Sequence, residues 1–197
     1  MRVTKRRAET KARLLDAAFQ VFAPKGFGPA RIDDVCAAAG YTRGAFYSNY
    51  TTLDELFFDL YDERAALIAA QVTESLTAPP LDAPVEEVIE RTVATLLLDR
   101  DWLLVKTDFL LHAARNPTLA RRLAGHRDQL RQAVRDRLAS VRGQLALPSS
   151  IPDVDAAAKA VVAAYDGVTV QLLLDSDVTA ARAWLTQLLT ALLTRSS

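Results

Sequence analysis

The chain is poor in the residues that carry most enzyme chemistry. Cys36 is its one cysteine, and His112 and His126 are its two histidines, among 197 residues. A single thiol excludes an internal disulfide framework and a cysteine-rich metal site. Neither histidine lies in a nucleophile-elbow, Walker or zinc-ligand pattern. Glu86, Glu87 and Glu90 read as the solvated face of a helix. An enzyme is therefore not expected, and no metal or cofactor is implied. Glycine is scarce, at seven. No unbroken run approaches ~18 apolar residues, so nothing is expected to span a membrane. The basic start "MRVTKRRAETKARLL" leads into periodic apolar residues, not a solid hydrophobic block. No signal peptide is expected, and the cytoplasm is the default compartment.

What is present favours helix. Half of the residues are apolar, and Ala, Leu and Arg dominate, as in an all-α protein. The length allows one or two domains with a real core. Net charge is zero but unevenly placed. Residues 1–50 hold nine Lys/Arg against four Asp/Glu, a balance of +5, so residues 51–197 carry −5. A basic head on an acidic body suits a head that meets a polyanion; a solvated tail would carry the same charge.

Apolar spacing predicts a first helix from Thr4 to Ala23, ended by Pro24 and Gly26. Ile32, Val35, Cys36 and Ala39 form the stripe of a second, which Gly40 stops. Thr42 caps a third, on which Phe46 and Tyr50 point inward together. A long helix follows from Leu53 to Leu76, and "TAPPLDAP" punctuates the chain at Thr77 to Pro84. Further helices are expected at Val85–Leu98, Asp101–Arg115, Pro117–Leu145, Asp153–Leu174 and Thr179–Thr194. The expected organisation is a three-helix head at 1–52 and a six-helix body at 53–197.

Helix, glycine-containing turn and helix make a helix-turn-helix, whose second helix enters the DNA major groove. The side chains after Gly40 suit that task. Arg43 can donate twice to guanine O6 and N7, Gly44 lets backbone approach, and Ala45 offers a methyl to thymine. Thr42, Tyr47 and Asn49 can donate to phosphates. Each residue alone reads equally well as ordinary surface or packing, and the geometry occurs without DNA. The joint pattern carries the expectation.

Residues 10–57, with "LLDAAFQVFAPKGF", "IDDVCAAAG" and "TRGAFYSNY", resemble the DNA-binding domain of the TetR (tetracycline-repressor) family of bacterial transcription regulators. The resemblance implies base contacts from Arg43, Gly44 and Ala45 and phosphate contacts from Thr42, Tyr47 and Asn49. Three positions depart from the family pattern. Ala30 stands where Thr or Ser is usual, Leu53 where Lys is usual, and Tyr50 where Phe is usual. Arg31 could bind the phosphate that the Ala30 methyl has no hydroxyl to reach, and a basic arm of Lys5, Arg6 and Arg7 could track backbone or minor groove.

One helix-turn-helix reads few base pairs, so a homodimer on a palindromic operator of double-stranded DNA is expected. The last two helices are short of charge over most of their surface, which calls for burial by a partner or within the chain's own core. The residues expected at a dimer interface are Tyr165, Gly167, Leu172, Trp184, Leu188 and Leu192. The resemblance implies a four-helix bundle there across a two-fold axis. It also implies a small-molecule effector site in the body, for which Tyr61, Trp102, Phe109, His112 and Tyr165 are the candidates. An aromatic stripe at helical spacing is equally the mark of a core. The function expected is that of a ligand-responsive regulator, a repressor released by a small, largely apolar effector. A helical protein–protein adaptor with a basic head is the alternative.

Overall fold

The structure is a computed structural model, and it describes residues 2–77, 83–96 and 98–194. Most of the Thr77–Pro84 punctuation and the Lys5 side chain lie outside the described residues. Among the described residues every regular element is helical: α1 (Arg2–Lys25), α2 (Ile32–Ala39), α3 (Arg43–Tyr47), α4 (Leu53–Thr77), α5 (Val85–Thr95), α6 (Arg100–Ala114), α7 (Pro117–Ser140), α8 (Val154–Asp175) and α9 (Val178–Leu193).

Helix ends follow local chemistry. Gly26 and Gly40 take positive φ, 82° and 68°, and close α1 and α2 as a residue without Cβ can. Pro24 was expected to end α1, but the helix runs one residue past it. Asp153 accepts the Ala156 N–H at 2.8 Å to start α8, and Asp177 accepts the Ala180 N–H at 2.9 Å to start α9. At Ser140, where Leu145 was expected, α7 gives way to a 3-10 turn over Arg142–Gln144. The Ser140 hydroxyl donates to the Arg137 carbonyl at 2.7 Å, a local bond that competes with continued helix, and Gly143 follows.

Two compact units emerge. One comprises Met1–Arg64 with Asp101–Leu123, the other Ala65–Arg100 with Ala124–Ser197. The first therefore holds α1, α2, α3, the start of α4 and nearly all of α6. Its core joins Leu14, Ala18 and Phe22 of α1, Val35 of α2 and Phe46 of α3 to Phe57 and Phe58 of α4 and Phe109 of α6. Phe27, in the turn after α1, sets its ring edge-on to those of Phe22, Phe57 and Phe109, with centroids 5.2, 5.9 and 4.8 Å away. Each such side chain contributes ~1.5–3 kcal/mol by leaving water, and the edge-on pairs add ~0.5–1.5 kcal/mol.

Polar ties fix α6 in this unit. The Phe27 N–H donates to Asp108 Oδ2 at 2.5 Å, and His112 Nε2 lies 3.2 Å from Asp54 Oδ1 in the first turn of α4. A Cβ on Gly26 would sit 3.1 Å from the same Asp108 oxygen, so that turn needs glycine for both space and φ.

In the second unit, arginines close helix ends. Arg182 of α9 donates to the Val93 and Leu96 carbonyls at the end of α5. Arg100 donates to Ser176 Oγ at 3.2 Å and to the Leu173 carbonyl at 3.5 Å at the end of α8. Arg127 of α7 pairs with Asp166 of α8.

One helix stands apart in its apolar content. The 22-residue α8 contains an 18-residue stretch of mean hydropathy 1.3, long and apolar enough to cross a membrane on length and composition alone. Lys159 and Asp166 interrupt that stretch without lowering its average enough to fail that test. The core helix of a soluble protein passes it equally.

Candidate nucleic-acid interface

The segment after Gly40 is anchored from behind. Phe46 is fully buried and Tyr50 nearly so, and their rings lie 5.9 Å apart. The Lys11 ammonium stands 5.9 Å from the centre of the Tyr50 ring and pairs with Asp59 at 2.7 Å, tying α1 to α4 around it. Burial, reinforced by the charges of Asp59, Glu63 and Glu55, pushes the Tyr50 phenol above its ordinary range. It stays neutral, as a core group must.

With those two rings inside, the remaining positions of α3 turn outward. Thr42 Oγ1 accepts the Ala45 N–H at 3.4 Å and starts the helix. Thr42, Arg43 and Gly44 are exposed, Ala45 is half-buried, and Tyr47 is 52% exposed. Arg43 Nε lies 3.0 Å from Asp33 Oδ1 on α2. Asn49 is half-buried and donates its amide to the Ala45 carbonyl at 2.9 Å, which ties the amide to its own segment. A Cβ on Gly44 would meet only Thr42 Oγ1, at 3.7 Å, an ordinary contact. The fold therefore does not demand glycine there.

The positions that depart from the family pattern resolve locally. Ala30 is buried in the core, and Arg31 occupies the N-cap without a side-chain cap bond. Asp34 does the capping by reaching back: its Oδ2 accepts the Arg31 N–H at 2.7 Å and the Lys25 ammonium at 2.6 Å. Lys25 first, then the Arg31 N–H, hold the Asp34 carboxyl below its ordinary value. The Arg31 side chain is left exposed just ahead of α2. At the start of α4, Glu55 accepts the N–H and hydroxyl of Thr51, both at 2.7 Å, which lowers its carboxyl, while Leu53 is half-buried.

Arg6 and Arg7 are exposed, but they lie in the first turns of α1 and not on an extended arm.

The effector candidates divide. Tyr61, Trp102, Phe109 and His112 come together in the first unit, around Phe57. Phe109 stacks on Phe57 with centroids 3.6 Å apart, and Trp102 is buried beside Tyr61. Tyr165 belongs to the second unit and is half-buried on α8.

The dimer candidates also divide. Leu172 is buried within the chain, and Tyr165, Leu188 and Leu192 are half-buried. Gly167 is exposed, Trp184 is 60% exposed and Leu174 is 79% exposed. Gly167, Ala164, Gln171, Trp184 and Leu188 line a mostly apolar groove of about 280 Å³ between α8 and α9.

Sequence reasoning missed Asp33 and Asp108. Each is one acid among many in the sequence, and only the tertiary partner singles it out. Cys36 is buried, and burial raises its thiol pKa, so it is a core group and not a nucleophile.

Comparison with known proteins finds two family matches. Residues 81–194 match the C-terminal region of the BetI-type transcriptional repressors, and residues 14–60 match the bacterial regulatory proteins of the tetR family. The HTH-type transcriptional regulator CymR of Pseudomonas putida is 31% identical over 119 residues, 58% of this chain and 56% of CymR. The match thus spans about half the length of that curated relative. Among solved structures, a transcriptional regulator of Rhodococcus sp. Rha1 superposes with TM-score 0.73 at 21% identity, over 92% of this chain and 95% of that one. A regulator from Saccharomonospora viridis in complex with choline gives the same score at 20% identity, over 95% of this chain and 100% of that one. These two likenesses speak for the fold.

Proposed function

The chain belongs to the tetR family of bacterial regulatory proteins, and on that premise we propose that it is a ligand-responsive transcriptional repressor acting in the cytoplasm. It binds a palindromic operator in double-stranded DNA as a homodimer and leaves it when a small, largely apolar effector binds the body. It is a regulator and not an enzyme.

The observation that carries this reading is the division of labour in the segment after Gly40. Phe46 and Tyr50 are sealed behind it, while Arg43 and Tyr47 face solvent. In the complex Arg43 donates to guanine O6 and N7, Ala45 touches a thymine methyl, and Gly44 admits the backbone to the groove. Thr42, Tyr47 and the exposed Arg31, Arg6 and Arg7 hold phosphates. Asn49 joins them if its amide leaves the Ala45 carbonyl.

The apolar groove and the exposed Trp184 and Leu174 on α8 and α9 support pairing with a second copy. A stable pair needs ~1,200 Å² or more of total buried surface. The effector acts only through its difference in affinity between the DNA-competent and released arrangements, and a ~100-fold loss of DNA affinity needs ~2.7 kcal/mol of that difference.

Selection of bound duplexes from random DNA tests the reading directly. The expected winner has two-fold symmetry and is lost steeply with salt, because phosphate contacts release counterions. Binding that ignores salt and sequence would point to the adaptor instead. Choline, the quaternary ammonium that the S. viridis regulator holds, is the contrasting trial ligand, and release by it in place of apolar compounds would overturn the apolar effector.

A further inference from the structure

Asp33 and Asp34 stand side by side in the first turn of α2 and serve different ends. Asp34 works inside the head, on the Arg31 N–H and Lys25. The Asp33 carboxylate turns across the glycine turn, and its Oδ1 lies 3.0 Å from Arg43 Nε, with both side chains 62% exposed. Solvent screens an exposed pair of this kind, so the fold gains little from it. A negative charge on a surface that meets phosphates also weakens binding to any DNA.

The chemistry of the contact gives the carboxylate another role. A guanidinium has five N–H donors, one on Nε and four on the two terminal nitrogens. Nε is the Arg43 nitrogen nearest to the Asp33 carboxylate. The terminal edge presents two parallel donors that fit guanine O6 and N7 together. A free arginine side chain must also give up rotamer entropy to hold one pose. A partner already on Nε bears part of that loss before DNA arrives.

We propose that Asp33 is a positioning residue for operator reading: it holds Arg43 by Nε so that the terminal nitrogens address a guanine and do not swing to a neighbouring phosphate. The inference rests on the DNA-binding reading above and deepens it.

The test uses the full chain with Asp33→Ala and Asp33→Asn. Each is titrated by fluorescence anisotropy against the selected operator, the same operator with single guanines replaced, and a random duplex, at several salt concentrations. Arg43→Ala identifies the guanine concerned, as the position to which that variant becomes indifferent. Thermal melting confirms that the variants fold.

Asp33→Ala is expected to bind random DNA more tightly and to lose about tenfold of its preference for that guanine. Asp33→Asn keeps an oxygen that accepts from Nε, so it retains most of the preference while also binding random DNA more tightly. If both variants gain affinity for every duplex by one factor, with the preference intact, Asp33 acts through charge alone and the proposal is overturned. If the wild-type chain selects no sequence at all, the operator reading fails and takes this inference with it.

Discussion

The segment around α3 and the face made by α8 and α9 both leave large side chains in water, but of opposite kinds. Around α3 the exposed groups are Arg43, Thr42 and Tyr47, with donors at their ends. On α8 and α9 they are Leu174, Val170, Val178 and Trp184. The first surface stays hydrated until something with acceptors displaces the water, and its hold weakens with salt. The second loses free energy to water at all times, at ~25 cal/mol for each Å² of apolar area left uncovered. One face is suited to a reversible polyanion, the other to a standing apolar partner. Both are set by what lies behind them: Phe46 and Tyr50 in the head, Leu172, Leu185 and Ala181 in the body.

The contrast can be broken most severely from behind the recognition segment. Phe46→Ala is expected to cost ~3–5 kcal/mol, since it removes a fully buried ring and leaves a cavity. Urea unfolding should show it, and DNA binding should fall with it. Next in size is Trp184→Arg, which places a charge on the apolar face. It is expected to weaken self-association by ~2–4 kcal/mol, read by sedimentation, while the chain keeps its helicity by circular dichroism. A dimer untouched by it would remove α9 from the interface. Arg43→Ala should cost ~1–3 kcal/mol on the operator, relax sequence choice at one position and leave the melting temperature unchanged. Tyr47→Phe, in the same titration, should weaken operator and random DNA alike by ~0.5–1.5 kcal/mol, the value of one hydrogen bond.

The smallest effect is electrostatic. Asp34, Glu55 and Asp155 all have carboxyls held below their ordinary values, by Lys25, by the Thr51 N–H and by Lys159 respectively. A depressed carboxyl stabilises the fold above its unfolded pKa and stops doing so as pH falls through the folded one. Stability should therefore hold steady down to about the ordinary values of 3.8 and 4.5 and decline below them. Asp34→Asn should flatten part of that decline, seen in melting temperature against pH.

Much of this architecture is written as periodicity. Leu14, Ala18 and Phe22, or Val35 and Cys36, show which side of a helix is buried, and Gly40 and Thr42 show where the turn falls. Periodicity does not say which partner a buried side meets. Trp102, Phe109 and His112 share a stripe on α6, but nothing in their spacing says that they pack on Phe27 and Phe57. That is why α6 joins the compact unit of the head although the chain order puts it in the body. The capping by Asp34 was also hidden. The acid at the third position of α2 makes its bond backward to the Arg31 N–H. Pairings across distance, such as Asp108 with the Phe27 N–H, follow from neither composition nor spacing.

The chain has two tryptophans, and the two compact units have one each: Trp102 stacked at 17° to Phe57 in one, Trp184 facing solvent in the other. Their fluorescence is thus a built-in pair of reporters. Emission from the shielded indole lies to the blue and shifts red when the head melts. Emission from the open indole starts red, answers to iodide quenching, and turns blue and protected when another surface settles over it. With either indole replaced by phenylalanine, each event acquires its own colour without any added dye.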